Sequence, residues 1–109
     1  MAISHAASGQ LIDVHPLADK LGEARTLALF KTDGLEVMRL VIPAHKTVPS
    51  HQVKGEITVQ CLEGEIDFTA AGQTQRMKAG QLLYLAGGVE HSLKALQDSS
   101  LLVTLVLRK

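Results

Sequence analysis

The chain has 109 residues, with 11 Lys and Arg against 11 Asp and Glu, five His, one Cys and three aromatic side chains. The length fits one domain over residues 1–109, and balanced charge with so few aromatic residues argues against nucleic acid as a partner. A single Cys cannot form an internal disulfide bond, residues 1–10 lack the features of a signal peptide, and no apolar run reaches the ~20 residues that span a membrane. We therefore expect a cytoplasmic protein with no membrane partner.

The predicted elements begin with a short helical segment. Within residues 13–22, Pro16 lies near a first helical position and Leu17 and Leu21 are four residues apart. This spacing predicts one or two helical turns ahead of a β-rich body.

Nine short apolar runs follow, separated by breaks that contain Gly, Pro or charged residues. Strands at such regular spacing predict an all-β sandwich or barrel, with its core over about residues 26–107. The predicted strands cover residues 26–31, 35–42, 47–53, 56–62, 65–69, 73–77, 81–85, 90–95 and 101–107.

Residues 56–62 show the clearest two-residue alternation. Every second side chain from position 57 is apolar and polar side chains lie between them, which predicts a strand with one inward face. If this phase continues back across the turn at residues 54–55, the imidazole of His51 also points into the apolar interior. The predicted inward residues are His51, Val53, Ile57, Val59 and Cys61.

The spacing of residues 45–64 resembles the first motif of the cupin superfamily. His51 takes the first of two His positions, Val53 takes the second, and Ile57 takes the Glu position ahead of the closing Gly64. His45 takes the position of the opening Gly, where a turn backbone in the left-handed region is expected.

The spacing of residues 80–95 resembles the second cupin motif. Gly80 opens it, Gly88 and His91 match, and Ala86 and Ala95 replace the usual Pro and Asn. Together, the two motifs imply a double-stranded β-helix, or jelly-roll barrel, preceded here by the short helical segment.

The resemblance also implies a metal site that has lost half of its ligands. Metal-binding cupins hold Fe, Mn, Ni, Cu or Zn with three His and one Glu. Only His51 and His91 remain as candidate ligands for such a divalent metal. Glu56 or Gln60 would complete the set only if a bulge turned it inward, and the thiol of Cys61 is a further candidate ligand or nucleophile.

Three hypotheses of function follow from this resemblance. The first is a small cupin barrel that binds a small molecule in a mostly apolar pocket, with a degenerate metal site. The second is a metal-dependent enzyme of the dioxygenase or isomerase type that uses His51 and His91 as ligands. The third is a sensory module that acts with a separate partner protein. The predicted pocket residues are His51, Val53, Ile57, Val59, Cys61, Tyr84 and His91.

A homodimer is the expected assembly. Small cupins commonly dimerise, and 46% hydrophobic residues in so short a chain leave apolar surface to cover.

Overall fold

One short 3₁₀ helix and nine antiparallel β-strands make up the computed structural model, which describes residues 5–108. Every predicted strand is present, and most boundaries fall within two residues of the predicted ones. The helix spans Ala18–Glu23, and the strands are β1 (Leu27–Lys31), β2 (Leu35–Ile42), β3 (Thr47–His51), β4 (Ile57–Glu63), β5 (Glu65–Ala70), β6 (Gln73–Lys78), β7 (Leu82–Leu85), β8 (His91–Ala95) and β9 (Ser99–Val106). The all-β prediction is confirmed.

The strands form two sheets that enclose one core. The five-stranded sheet has the order β1-β2-β9-β4-β7, and the four-stranded sheet has the order β3-β8-β5-β6. Neighbours in each sheet are usually distant in sequence, as β9 is from both β2 and β4. This crossing between sheets is the arrangement of a jelly roll.

The alternation of side chains along each strand decides which residues fill the core. In β4, Ile57, Val59 and Cys61 are buried, and their register partners on β9 are Leu105, Val103 and Leu101. Burying such a side chain stabilises the fold by about 1.5–3 kcal/mol. The buried core residues are Ile42, Ile57, Val59, Cys61, Ile66, Phe68, Met77, Leu93, Ala95, Leu101 and Val103.

The N-terminal helix begins at Ala18, two residues after Pro16, which the sequence pattern places near the first helical position. Leu17 precedes the first helical residue, and Ala18 has a φ of 52°, which a continuous right-handed helix does not allow. Upstream, a turn forms where the amide of His15 donates to the Asp13 carboxylate at 2.9 Å. The predicted short helical segment is therefore present, with its bounds at Ala18–Glu23.

No helix within residues 5–108 is long and apolar enough to cross a membrane.

Candidate functional site

Two imidazole side chains meet at one end of the barrel. His51 ends β3, His91 begins β8, and the two are register partners whose ring centroids lie 4.3 Å apart at an angle of 57°. A bulge in β3 falls between Val48 and His51, so both of these side chains face inward although three positions separate them. Pro49 lies in this bulge, and β3 is an edge strand, where a missing N–H is tolerated.

Backbone carbonyls fix the tautomer of both rings. The Nδ1 atom of His51 lies 3.0 Å from the carbonyl oxygen of Pro49, and that of His91 lies 3.0 Å from the carbonyl oxygen of Val89. Because a carbonyl oxygen only accepts, each Nδ1 must carry the hydrogen and donate it. A neutral ring then presents Nε2 as a hydrogen-bond acceptor or metal ligand.

The two rings differ in burial. His91 is only 5% exposed and stacks on Phe68, with centroids 5.7 Å apart and planes within 9°. His51 is exposed at the end of its edge strand. His91 is thus part of the wall of the interior, and His51 lies at its mouth.

A cavity of about 160 Å³ lies next to the two imidazoles. Five of the predicted pocket residues line it, which are His51, Val53, Ile57, Val59 and His91. Seven further apolar side chains complete the lining, namely Met38, Leu40, Val48, Phe68, Leu93, Val103 and Leu105. The cavity therefore has an apolar body and two imidazole groups as its polar side chains.

Tyr84 lies outside the cavity, contrary to the sequence prediction. It pairs with Thr58, whose side chain lies on the opposite face of β4 from Ile57 and Val59. Tyr84 is 61% exposed, and its hydroxyl donates to the Glu56 carboxylate at 2.7 Å. This hydrogen bond raises the pKa of the Tyr84 hydroxyl above its ordinary value.

Cys61 does not line the cavity either. It is fully buried in the core, with its Sγ atom 3.5 Å from the carbonyl oxygen of Glu63. Burial raises the pKa of this thiol, because the charged thiolate is poorly solvated there. These surroundings are those of a structural thiol and give no support to the alternative that Cys61 is a nucleophile or third ligand.

The residues present do not fit a tightly bound divalent metal. Within residues 5–108, no three His, Cys, Asp or Glu side chains lie close enough together to hold one. Val53 and Ile57 offer no donor atoms, and the bulge in β4 lies between Cys61 and Glu63, beyond both proposed substitutes. Glu56 bonds to Tyr84 on the outer face, and Gln60 lies on that face too, so neither completes the site.

A buried polar cluster that the sequence analysis did not find lies on the outer face of the five-stranded sheet. The Nη2 atom of Arg39 lies 3.1 Å from the Glu63 carboxylate and also donates to Ser100 and to the carbonyl oxygen of His15. Arg39 is the one charged residue in the apolar run 37–42, and this lone charge could have indicated a buried polar cluster from the sequence.

Glu63 binds the N-terminal segment, which is the part of the described chain ahead of β1, to the barrel. Its carboxylate accepts hydrogen bonds from the amides of Leu17 and Ala18 and from the Ser100 hydroxyl. Burial raises the pKa of Glu63, but these donors and the charge of Arg39 outweigh it, so the pKa lies below its usual value.

Comparison with protein families decides the identity of this barrel. The sequence matches the family described as "Cupin domain" over residues 38–107, which is more than half of the chain. The chain is a cupin. The matched range contains both His51 and His91, and it excludes the N-terminal segment that packs on the outer face. A comparison with curated proteins finds no significant match.

Solved structures share the fold of this cupin at low sequence identity. A conserved protein of unknown function from Streptococcus pyogenes is 19% identical, with a TM-score of 0.74 over 100% of this chain and 99% of that one. A cupin superfamily protein from Desulfitobacterium hafniense DCB-2 is 18% identical, with a TM-score of 0.78 over 94% of this chain and 100% of that one. KdgF from a Halomonas species is 16% identical, with a TM-score of 0.70 over 77% and 80%.

Proposed function

We propose that this cupin is a binding module that holds a small, largely apolar molecule in its barrel cavity. The observation that carries the proposal is the pairing of His51 with His91 at the edge of an otherwise apolar cavity. Sites for small molecules commonly combine apolar walls with a few convergent polar groups that fix the orientation of the ligand.

The size of the cavity supports a ligand of about one ring. An engineered cavity of about 150 Å³ with apolar walls is known to stay dry and to bind benzene. The cavity here has about the same volume and similar walls. Apolar area that a ligand buries there contributes about 25 cal/mol per Å² to its binding.

A pair of matched variants tests this proposal. Val48→Phe adds a ring inside the cavity, whereas Val106→Phe adds the same ring at an exposed position on the outer face. Titration with toluene, followed by ¹H–¹⁵N NMR, is expected to shift amide signals around the cavity of the original protein and of Val106→Phe. The same titration of Val48→Phe is expected to show at least tenfold weaker binding. Equal binding by both variants would place the toluene elsewhere and refute the proposal.

The hypothesis of a metal-dependent enzyme predicts a different result. Two imidazoles without a carboxylate are a poor donor set for a resident divalent ion. Elemental analysis of the purified protein and of His51→Ala is therefore expected to find no stoichiometric metal in either. A stoichiometric metal that is lost in His51→Ala would favour the enzyme. The hypothesis of a sensory module with a separate partner stays a prediction.

We also propose that two copies associate in the cytoplasm through the outer face of the five-stranded sheet. Leu82 and Tyr84 on β7 and Val106 on β9 expose large apolar side chains on this face, and Leu82 is 67% exposed. Light scattering after size exclusion is expected to give about twice the chain mass of 11.7 kDa. Leu82→Lys is expected to give the mass of one chain. Leu11→Lys, on the exposed N-terminal segment, is the matched control and is expected to keep the mass of two chains. A single mass for the original protein would refute the dimer.

A further inference from the structure

We infer that the ligand of this cavity is a neutral, ring-sized molecule that carries one hydroxyl or N–H group, of which phenol is the simplest example. The inference rests on the proposed function and adds the chemical class of the ligand. It follows from the hydrogen-bonding groups that the cavity offers.

Among residues 5–108, the side chains that line the cavity offer hydrogen-bond acceptors and no free donor while both imidazoles are neutral. Both Nδ1–H groups are already used, because they donate to the carbonyl oxygens of Pro49 and Val89. In the neutral rings of His51 and His91, Nε2 therefore has a lone pair and no hydrogen. The other described residues that line the cavity are apolar, and the thioether of Met38 is itself only a weak acceptor.

This arrangement selects against ligands that carry only acceptors. A carboxylate, an ether or a ketone would bring its oxygen to a second acceptor, and at the buried His91 each group would lose its hydrogen bonds to water without replacement. A hydroxyl or N–H group donates to Nε2 and restores that bond. A site built to bond one polar group rejects an analogue that lacks it, because the group in the protein is left unpaired.

The positions of the two rings orient such a ligand. His51 is exposed at the mouth, and His91 lies behind it against Phe68, with the two centroids 4.3 Å apart. A donor bound here lies near the mouth, and the apolar body of the ligand points toward the interior. One aromatic ring fits the volume of about 160 Å³.

Affinities of phenol, toluene, anisole and benzoate for the chelator-treated protein test the inference. Toluene has nearly the size of phenol but no donor, and hydrophobic burial alone would rank it and anisole above phenol. Phenol is expected to bind most tightly, by a factor of about 2 to 13 over toluene, the range that one net hydrogen bond provides. Benzoate is expected to bind weakest.

Matched variants show whether the imidazoles cause this preference. His51→Phe and His91→Phe keep a ring and remove the acceptors, and His15→Phe makes the same change at an exposed position outside the cavity. The preference for phenol over toluene is expected to fall in each of the first two variants, to disappear when both imidazoles are replaced together, and to persist in His15→Phe. Circular dichroism confirms that each variant is folded. Long-range ¹H–¹⁵N spectra of the original protein check the tautomer independently of any variant, and both rings are expected to carry hydrogen on Nδ1.

The outcomes separate this inference from the proposed function. If toluene and phenol both fail to bind, the proposed function is wrong. If toluene binds as tightly as phenol, or if benzoate binds most tightly, the cavity is a binding site but the ligand class inferred here is wrong. Hydrogen on Nε2 in both rings would also overturn the inference, because the rings would then be donors.

Discussion

Glu63 joins the N-terminal segment to the barrel, and replacing it by Gln removes the charge while almost keeping the shape of the side chain. The carboxylate accepts from the amides of Leu17 and Ala18 and from Ser100, and it faces the guanidinium of Arg39 at 3.1 Å. Gln retains one oxygen, but its NH₂ group must face one or more of these donors. The variant therefore loses an ion pair and at least one hydrogen bond.

The expected cost is large because the pair is buried. The side chains of Arg39 and Glu63 are 8% and 12% exposed. Removing one partner of a buried ion pair costs about 3–5 kcal/mol, since the remaining charge stays buried without compensation. We expect Glu63→Gln to lower the free energy of unfolding by about 3 kcal/mol. For a chain of this length, about 4 °C of melting temperature corresponds to each kcal/mol, so the melting temperature should fall by about 12 °C.

Glu65→Gln makes the same chemical change two residues away as a control. Glu65 lies 3.6 Å from Arg76, whose side chain is largely exposed, and such surface pairs contribute about 0–1 kcal/mol. Urea denaturation followed by far-ultraviolet circular dichroism measures both variants, the single variant Arg39→Met, and the double variant Arg39→Met with Glu63→Gln. The double variant no longer buries an unpaired guanidinium. Its loss of free energy of unfolding should therefore be smaller than the sum of the losses in Arg39→Met and Glu63→Gln. Equal costs for Glu63→Gln and Glu65→Gln would refute the reasoning.

The remaining predictions concern acid stability, one turn and the thiol. Because the pKa of Glu63 is lower in the folded than in the unfolded chain, its stabilising effect is complete above the unfolded value of about 4.3 and is lost as the pH falls through the lowered folded value. Denaturation curves between pH 7 and pH 2 should show this loss in the original protein and a smaller one in Glu63→Gln. Gly64→Ala should prevent stable folding or cost at least about 3 kcal/mol, because φ is 87° and the added Cβ would clash with the Asp98 carbonyl oxygen. Gly72→Ala, with φ of 77° and open space, should cost only about 1–2 kcal/mol by thermal denaturation. A thiol reagent should modify Cys61 at the rate of global unfolding, and modification within seconds under native conditions would contradict its burial.

The strands could be predicted because short apolar runs are separated by turn residues. In the run 56–62, apolar and polar side chains also alternate, which indicates one buried face. The spacing of the first cupin motif also indicated a left-handed turn backbone at His45, whose φ is 70°. The N-terminal helix was predicted less well, because its geometry depends on a distant carboxylate. Leu17 and Ala18 donate to Glu63, 45 or more positions along the chain, and no local pattern encodes that contact.

For the site, alternation along one strand phase and its continuation groups His51, Val53, Ile57 and Val59, which all line the cavity, although His51 is exposed at its mouth and not enclosed in the interior. Tyr84 was placed wrongly because the phase of β7 depends on its pairing with β4, which the short run 82–85 does not specify. The tautomers of the imidazoles were also beyond prediction. They depend on the position of backbone carbonyls that become neighbours of the rings only in the folded loops.

The bulge in β3 has a consequence for how the cavity lining can change. This strand has one hydrogen-bonded neighbour, β8, so a slip of its register by one position disturbs a single ladder. Such a slip would turn His51 out and present Ser50 or Gln52 to the cavity, and a hydroxyl or amide can donate as well as accept. Changing the length of this edge strand by one residue would therefore alter which ligands the barrel accepts, through both the polar group at the mouth and the wall residue Val48, while the lining from the other strands stays in place.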